Sequence, residues 1–162
     1  MAMTMEVKGF EELDRMLAEL GSKATEVAKK SLYDGAGIMA DAFTAAVNSI
    51  QTEPFKGKKD SRLPSPEEKQ ALIGRTGIAR FNMNGSEVDT IVGVTEHGGY
   101  AKIGSEKKAV RLIARSINSG TSFMAKQPVF RKAKTATQQK ATAAIVAKAE
   151  EMYNEIINGS GK

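Results

Sequence analysis

The residues able to do chemistry are few and badly spaced for it. The single histidine, His97, sits in Thr95-Glu96-His97-Gly98-Gly99, where two glycines mark a turn and an exposed side chain. One imidazole beside one glutamate is not a proton-relay dyad, and it supplies too few ligands for a histidine-based metal site. The chain has no cysteine, which excludes a thiol nucleophile, a thiolate-held zinc and a disulfide framework. Gly74-Arg75-Thr76-Gly77 carries glycines without the Lys-Ser or Lys-Thr that a phosphate-cradling loop requires. The carboxylate pairs Glu11/Glu12, Glu67/Glu68 and Glu150/Glu151 are sequence neighbours, which on a helix point apart and do not converge on one substrate. No serine stands at a recognisable spacing from a base. These residues predict a non-enzymatic protein with no metal and no cofactor.

The remaining chemistry is electrostatic. The net charge is +5, from 24 basic and 19 acidic residues. Lys56, Lys58, Lys59 and Arg62 form a basic cluster beside Phe55, a composition that suits contact with a phosphate backbone or an acidic partner. They lie in a stretch, residues 51–70, that holds three of the four prolines, so it reads as a long exposed loop. Lys126, Arg131, Lys132, Lys134 and Lys140 make a second basic run.

These residues need elements to position them. At 162 residues the chain reads as one domain, 1–162. Phe10, Leu13, Met16, Leu17 and Leu20 follow helical spacing, and Gly21 is a natural stop, so a short N-terminal helix is expected there. Ser22 then caps a long second helix, with an apolar stripe from Ala24 through Val27, Ser31, Met39, Phe43 and Val47 to Ile50. Such a helix, about 42 Å long, exceeds what so small a core needs, which leaves part of it for another subunit. Gly35 and Gly37 predict either a close helix crossing or a kink.

After the loop, Ile78–Met83 and Val88–Val94 alternate or are β-branched, with Asn84-Gly85 as a hairpin turn between them. Tyr100–Gly104 is a further strand, and Ala109–Ile117 suits a strand or a short helix. Beyond Pro128 a helix runs to about Ile157, with Ile145, Ala149, Met152, Tyr153 and Ile156 as its apolar stripe and residues 158–162 as a fraying tail. Short connections make the sheet antiparallel and the fold class α+β. No apolar run reaches the roughly 20 residues of a membrane span, and the N-terminus has no secretory signal, so the default compartment is the cytoplasm.

Three segments occur in an order that resembles a known family. Val7-Lys8-Gly9-Phe10-Glu11-Glu12-Leu13 opens the chain, Arg75-Thr76-Gly77-Ile78 follows the long loop, and Ser119-Gly120-Thr121-Ser122 precedes Gln127-Pro128-Val129-Phe130-Arg131-Lys132-Ala133. This pattern resembles the gene-product-10-like tail-component family of long-tailed bacteriophages, which is similar to the minor tail protein Z of phage lambda. Asn118 stands where that family carries an acid, and Val129 is an insertion before Phe130. Gly9, Thr76, Gly77, Gly120, Thr121, Pro128 and Phe130 are the motif positions. The resemblance implies a structural virion protein, a neck or tail-completion subunit between head-tail connector and tail tube. It would be assembled in the host cytoplasm as a homo-oligomer, most often a six-fold ring around the DNA channel. Its neighbours would be connector or stopper proteins and tail-tube or terminator proteins, with non-specific DNA contact and no membrane. Alternatives are a tail terminator, a small basic nucleic-acid-binding protein, or a scaffolding adaptor absent from the finished particle.

Overall fold

In the computed structural model, residues 10–53, 62–84, 87–94 and 99–159 are described, with side chains from residue 18 onward. The elements in chain order are α1 (Phe10–Asn48), α2 (Pro66–Gln70), β1 (Thr76–Ile78), β2 (Asn82–Asn84), β3 (Glu87–Asp89), β4 (Val92–Val94), β5 (Tyr100–Ile103), β6 (Glu106–Ala109), α3 (Val110–Ser119) and α4 (Val129–Gly159). The class is α+β, with antiparallel strand pairs set among helices.

The expected break at Gly21 does not occur. Helix α1 runs unbroken for 39 residues, so the separate short helix and the Ser22 cap give way to one rod of about 58 Å. Ser22 Oγ instead donates 2.9 Å to the Glu19 carbonyl within the helix. A mid-helix glycine costs only about 1 kcal/mol. That cost is opposed by the 2.7 Å Glu19–Lys23 pair spanning Gly21, by the Glu26–Lys30 pair, and by burial of Val27 and Ser31 further along.

Helix α4 packs antiparallel along α1, with Phe130 against Phe43 at one end and Ile145 against Gly35 further on. Gly35 marks a close crossing. A Cβ built there would lie 2.4 Å from Ile145 Cγ1 and 2.9 Å from the Ala141 carbonyl oxygen, whereas at Gly37 nothing lies within 4 Å. Val27, Ser31, Ala36, Phe43, Ala46 and Ala141 are buried in or beside this seam.

The two expected strands each divide. Strand β1 pairs with β4 and β2 with β3, and the three residues Ala79–Phe81 oppose only Thr90 and Ile91. This one-residue mismatch is a bulge that bends a single long hairpin. Ala79 spans it, donating its N–H to the Ile91 carbonyl at 2.8 Å and accepting at 2.9 Å from Thr90 Oγ1. Strands β5 and β6 form a second hairpin, whose β6 the sequence reading missed. Residues 110–119 are helical, and buried Val110, Ile113, Ala114 and Ile117 fall at i, i+3, i+4 and i+7. Helix α4 also extends to Gly159, two residues into the expected tail, and residues 160–162 lie outside the described set.

The main core lies at the C-terminal end of α1. Val47, Ile50, Leu72, Val110, Ile113, Ala114 and Ile117 form it, with Val94, Ile103, Met124, Val129 and Phe130 packed around them.

Candidate interaction surface

The segment that joins α3 to α4 is tied into this core by hydrogen bonds from three directions. Gly120 ends α3 with φ +77°, and its N–H donates 2.8 Å to the Ser116 carbonyl. A left-handed φ favours glycine, and a Cβ here would also press against Lys126 at 3.1–3.2 Å. Thr121 closes a tight turn. Its N–H donates 2.9 Å to the Met124 carbonyl, and its Oγ1 accepts from the Phe123 and Met124 N–H groups at 3.3 and 3.0 Å. The turn holds Phe123 outward, 89% exposed.

Gln127 ties this segment to the end of α1. Its Oε1 accepts from Gln51 N–H at 2.9 Å, its Nε2 donates 2.8 Å to the Gln51 carbonyl, and its own N–H donates 2.8 Å to Ile117 O. Both faces of one side-chain amide are thus satisfied, as in a strand pair. Pro128 precedes the first turn of α4, where a missing N–H costs nothing. Asn118 Oδ1 accepts from Arg131 N–H at 3.3 Å and so caps that turn. Phe130 meets the Phe43 ring edge-to-face at 5.6 Å and 82°.

Arg62 joins the same junction. Its Nη2 donates 3.2 Å to the Ser122 carbonyl, and its own carbonyl accepts from Ala125 N–H at 2.6 Å. Phe55, Lys56, Lys58, Lys59 and Gly9 lie outside the described residues, as does His97. Thr76 reaches the junction from the sheet, with its Oγ1 2.8 Å from Thr44 Oγ1 on α1, one residue beyond Phe43. Gly77 pairs with Gly93 in the β1–β4 ladder. The described motif positions therefore gather around the last turns of α1, where each has a structural partner.

The end of the expected loop is more ordered than its composition suggested. Ser65 caps α2 and forms a capping box with Glu68, with Pro66 in the first turn. Ser-Pro-Glu-Glu is the sequence signature of that start, a signal that the reading of 51–70 as loop passes over. From α2, Lys69 Nζ donates to the Asn48 and Ile50 carbonyls at 2.8 and 2.9 Å, closing the C-terminus of α1 with a positive charge. No short-range pattern signals that contact.

On the outer side, Lys126, Pro128, Arg131, Lys132, Thr135 and Ala136 line a shallow groove of about 420 Å³. Its floor is apolar and its rim cationic. Among the described residues no group of three or more His, Asp or Glu is placed to hold a metal ion, and no helix is long and apolar enough to cross a membrane. Two exposed helix groups have displaced titrations. A hydrogen bond and the charge of Lys30 hold Glu26 below the ordinary carboxylate value, and the Glu151 carboxylate raises Lys148. Neither belongs to the junction. Compared with protein families, curated proteins and solved structures, the chain matches none.

Proposed function

We propose that this chain is a structural, non-catalytic subunit of a tailed-bacteriophage neck, a tail-completion protein that joins the head-tail connector to the tail tube. In this reading it assembles as a homo-oligomeric ring, most simply six-fold, around the DNA channel. The observation that carries the reading is the junction itself. Two of the three segments that resemble the tail-component family, Arg75–Ile78 and Ser119–Ala133, approach the same last turns of α1, and the second presents outward a hydrogen-bonded turn with an almost fully exposed phenylalanine. Large exposed apolar residues on ordered backbone are what a subunit buries against a neighbour. Tyr100 at 62% and Leu112 at 54% exposure are further large apolar side chains left uncovered, and a heterologous contact closes into a ring when its rotation fits.

The test is quantitative mass spectrometry of purified virions, with electron cryo-microscopy of the same sample. A few copies per particle with density at the head-tail joint are expected. Density capping the tail tube alone would favour the tail-terminator role. Absence from clean particles while the protein is abundant in the lysate would refute a virion role and leave a scaffolding adaptor.

A further inference from the structure

From Lys107 to Ala149 the chain has no carboxylate in 43 residues, yet it carries ten of the 24 basic side chains. The rest of the chain is net acidic, with 14 basic against 19 acidic residues, so the positive charge is concentrated in one segment rather than spread. That segment folds as β6, α3, the α3–α4 connection and two thirds of α4. Only some of its cations are engaged. Lys107 lies over the Tyr100 ring, Lys108 faces Glu68 and Glu106, and Lys148 pairs with Glu151. Arg115, Lys126, Arg131, Lys132, Lys134 and Lys140 are exposed, and no described carboxylate lies within salt-bridge distance of them.

We propose that the basic shoulder formed by the groove between Lys126 and the first turns of α4 binds the phosphate backbone of duplex nucleic acid, without reading its sequence. As an assignment of the DNA-facing surface of a ring, this rests on the neck reading. Lys126, Arg131 and Lys132 converge on one groove, and Arg62 is held beside it through Ser122 and Ala125. Gln138 and Gln139, exposed on the next turn, add neutral amide donors. No described carboxylate lines that groove, which suits a polyanion, because a misplaced acid repels it. A protein partner is the poorer fit, since lysine is depleted from protein–protein interfaces.

The magnitude follows from counterion release. Four cations on four phosphates give a slope of log K on log salt of about −3.6, or roughly 150-fold weaker binding between 50 and 200 mM salt. The experiment is fluorescence anisotropy of the full-length chain with a labelled mixed-sequence 30-bp DNA duplex. Wild type is compared with K126Q/R131Q/K132Q and, separately, with the loop variant K56Q/K58Q/K59Q. Circular dichroism verifies that each variant is folded. Because Lys126, Arg131 and Lys132 are exposed and no described carboxylate pairs with them, the shoulder variant is expected to fold as wild type. The shoulder variant is expected to cut the slope to about −0.9, while the loop variant keeps most of the wild-type binding. Absence of duplex binding by wild type overturns the proposal, as does loss confined to the loop variant. Loss of self-association by the shoulder variant, seen by light scattering without any duplex binding, assigns the face to a second copy and also overturns it. Shoulder-dependent binding by a chain that is absent from virions supports the proposal while removing the neck reading.

Discussion

Gly35 and Gly37 are two residues apart in one helix, and the structure predicts opposite outcomes for the same substitution. Replacing a mid-helix glycine by alanine gains about 0.8–1 kcal/mol of helix propensity when nothing obstructs the methyl group. At Gly37 nothing lies within 4 Å, so Gly37→Ala is expected to stabilise by about that amount, which for a chain this size raises the melting temperature by roughly 2–4 °C. At Gly35 the same methyl would sit 2.4 Å from Ile145 Cγ1, 2.7 Å from Cδ1 and 2.9 Å from the Ala141 carbonyl oxygen. The isoleucine can turn away, but the carbonyl moves only with the whole of α4. Overpacking of this kind costs about 1–3 kcal/mol. Gly35→Ala is therefore expected to fall about 1–3 kcal/mol below Gly37→Ala in urea-denaturation free energy. A double-mutant cycle with Ile145→Ala isolates the contact, and a coupling of roughly 0.5–3 kcal/mol is expected. Equal stabilities for the two alanine variants would refute the packing of α4 across Gly35.

Ser31 is 2% exposed, and its hydroxyl has no hydrogen-bond partner among the described residues, so Ser31→Ala is expected to stabilise by about 1–2 kcal/mol in the same denaturation assay. A loss of stability would show that the hydroxyl is satisfied. Lys69→Met keeps the aliphatic stem but removes the ammonium that closes α1, and a loss of roughly 1–3 kcal/mol is expected, read as a shift in the urea midpoint. Glu26 is held below its ordinary value by Lys30, so its contribution is present above that value and is lost as pH falls through the lowered one. Lys148 is raised by Glu151, so its contribution is present below the ordinary lysine value and is lost as pH rises through the raised one. Both pairs are exposed, so the acid limb of the melting-temperature profile should differ only slightly between wild type and Glu26→Gln; a large difference would mean the helix surface there is buried.

The two long helices were legible in outline from their apolar spacing, while α2 lies within the stretch read as loop, and the hairpin was legible because Asn84-Gly85 stands between alternating runs. What sequence reasoning missed turns on single residues outweighed by distant ones. Gly21 reads as a stop when the local Glu19–Lys23 spacing across it is not weighed, and the burial of Val27 and Ser31 further along leaves no trace beside it. Ala109–Ile117 stayed ambiguous because a short apolar run suits both periods; the buried set Val110, Ile113, Ala114 and Ile117 decides it once Leu72 and Val47 are placed beside it. Strand β6, Glu-Lys-Lys-Ala, has almost no strand character, and its pairing with Tyr100–Ile103 imposes it. Of the junction, the order of the motifs could be read, but the Gln127–Gln51 pairing spans 76 residues and leaves no local trace.

Burial is uneven along the molecule, and the unevenness bears on how such a chain would be used. The cluster around Ile50, Leu72, Val110 and Ile117 draws on α1, the turn after α2, and α3. Away from it, α1 and α4 run on as a pair whose buried contacts are mostly small: Ser31, Ala36 and Ala141, with Val27 the main exception. Meanwhile Val146, Tyr153 and Ile157 on α4 remain exposed, at spacings of seven and four residues that set them on one outward face. Two helices joined by small residues gain closeness but bury little apolar area, so the pair depends on its attachment to the core. A third element laid along Val146, Tyr153 and Ile157 would bury what the pair alone cannot. On the neck reading proposed above, a neighbouring subunit supplies that element.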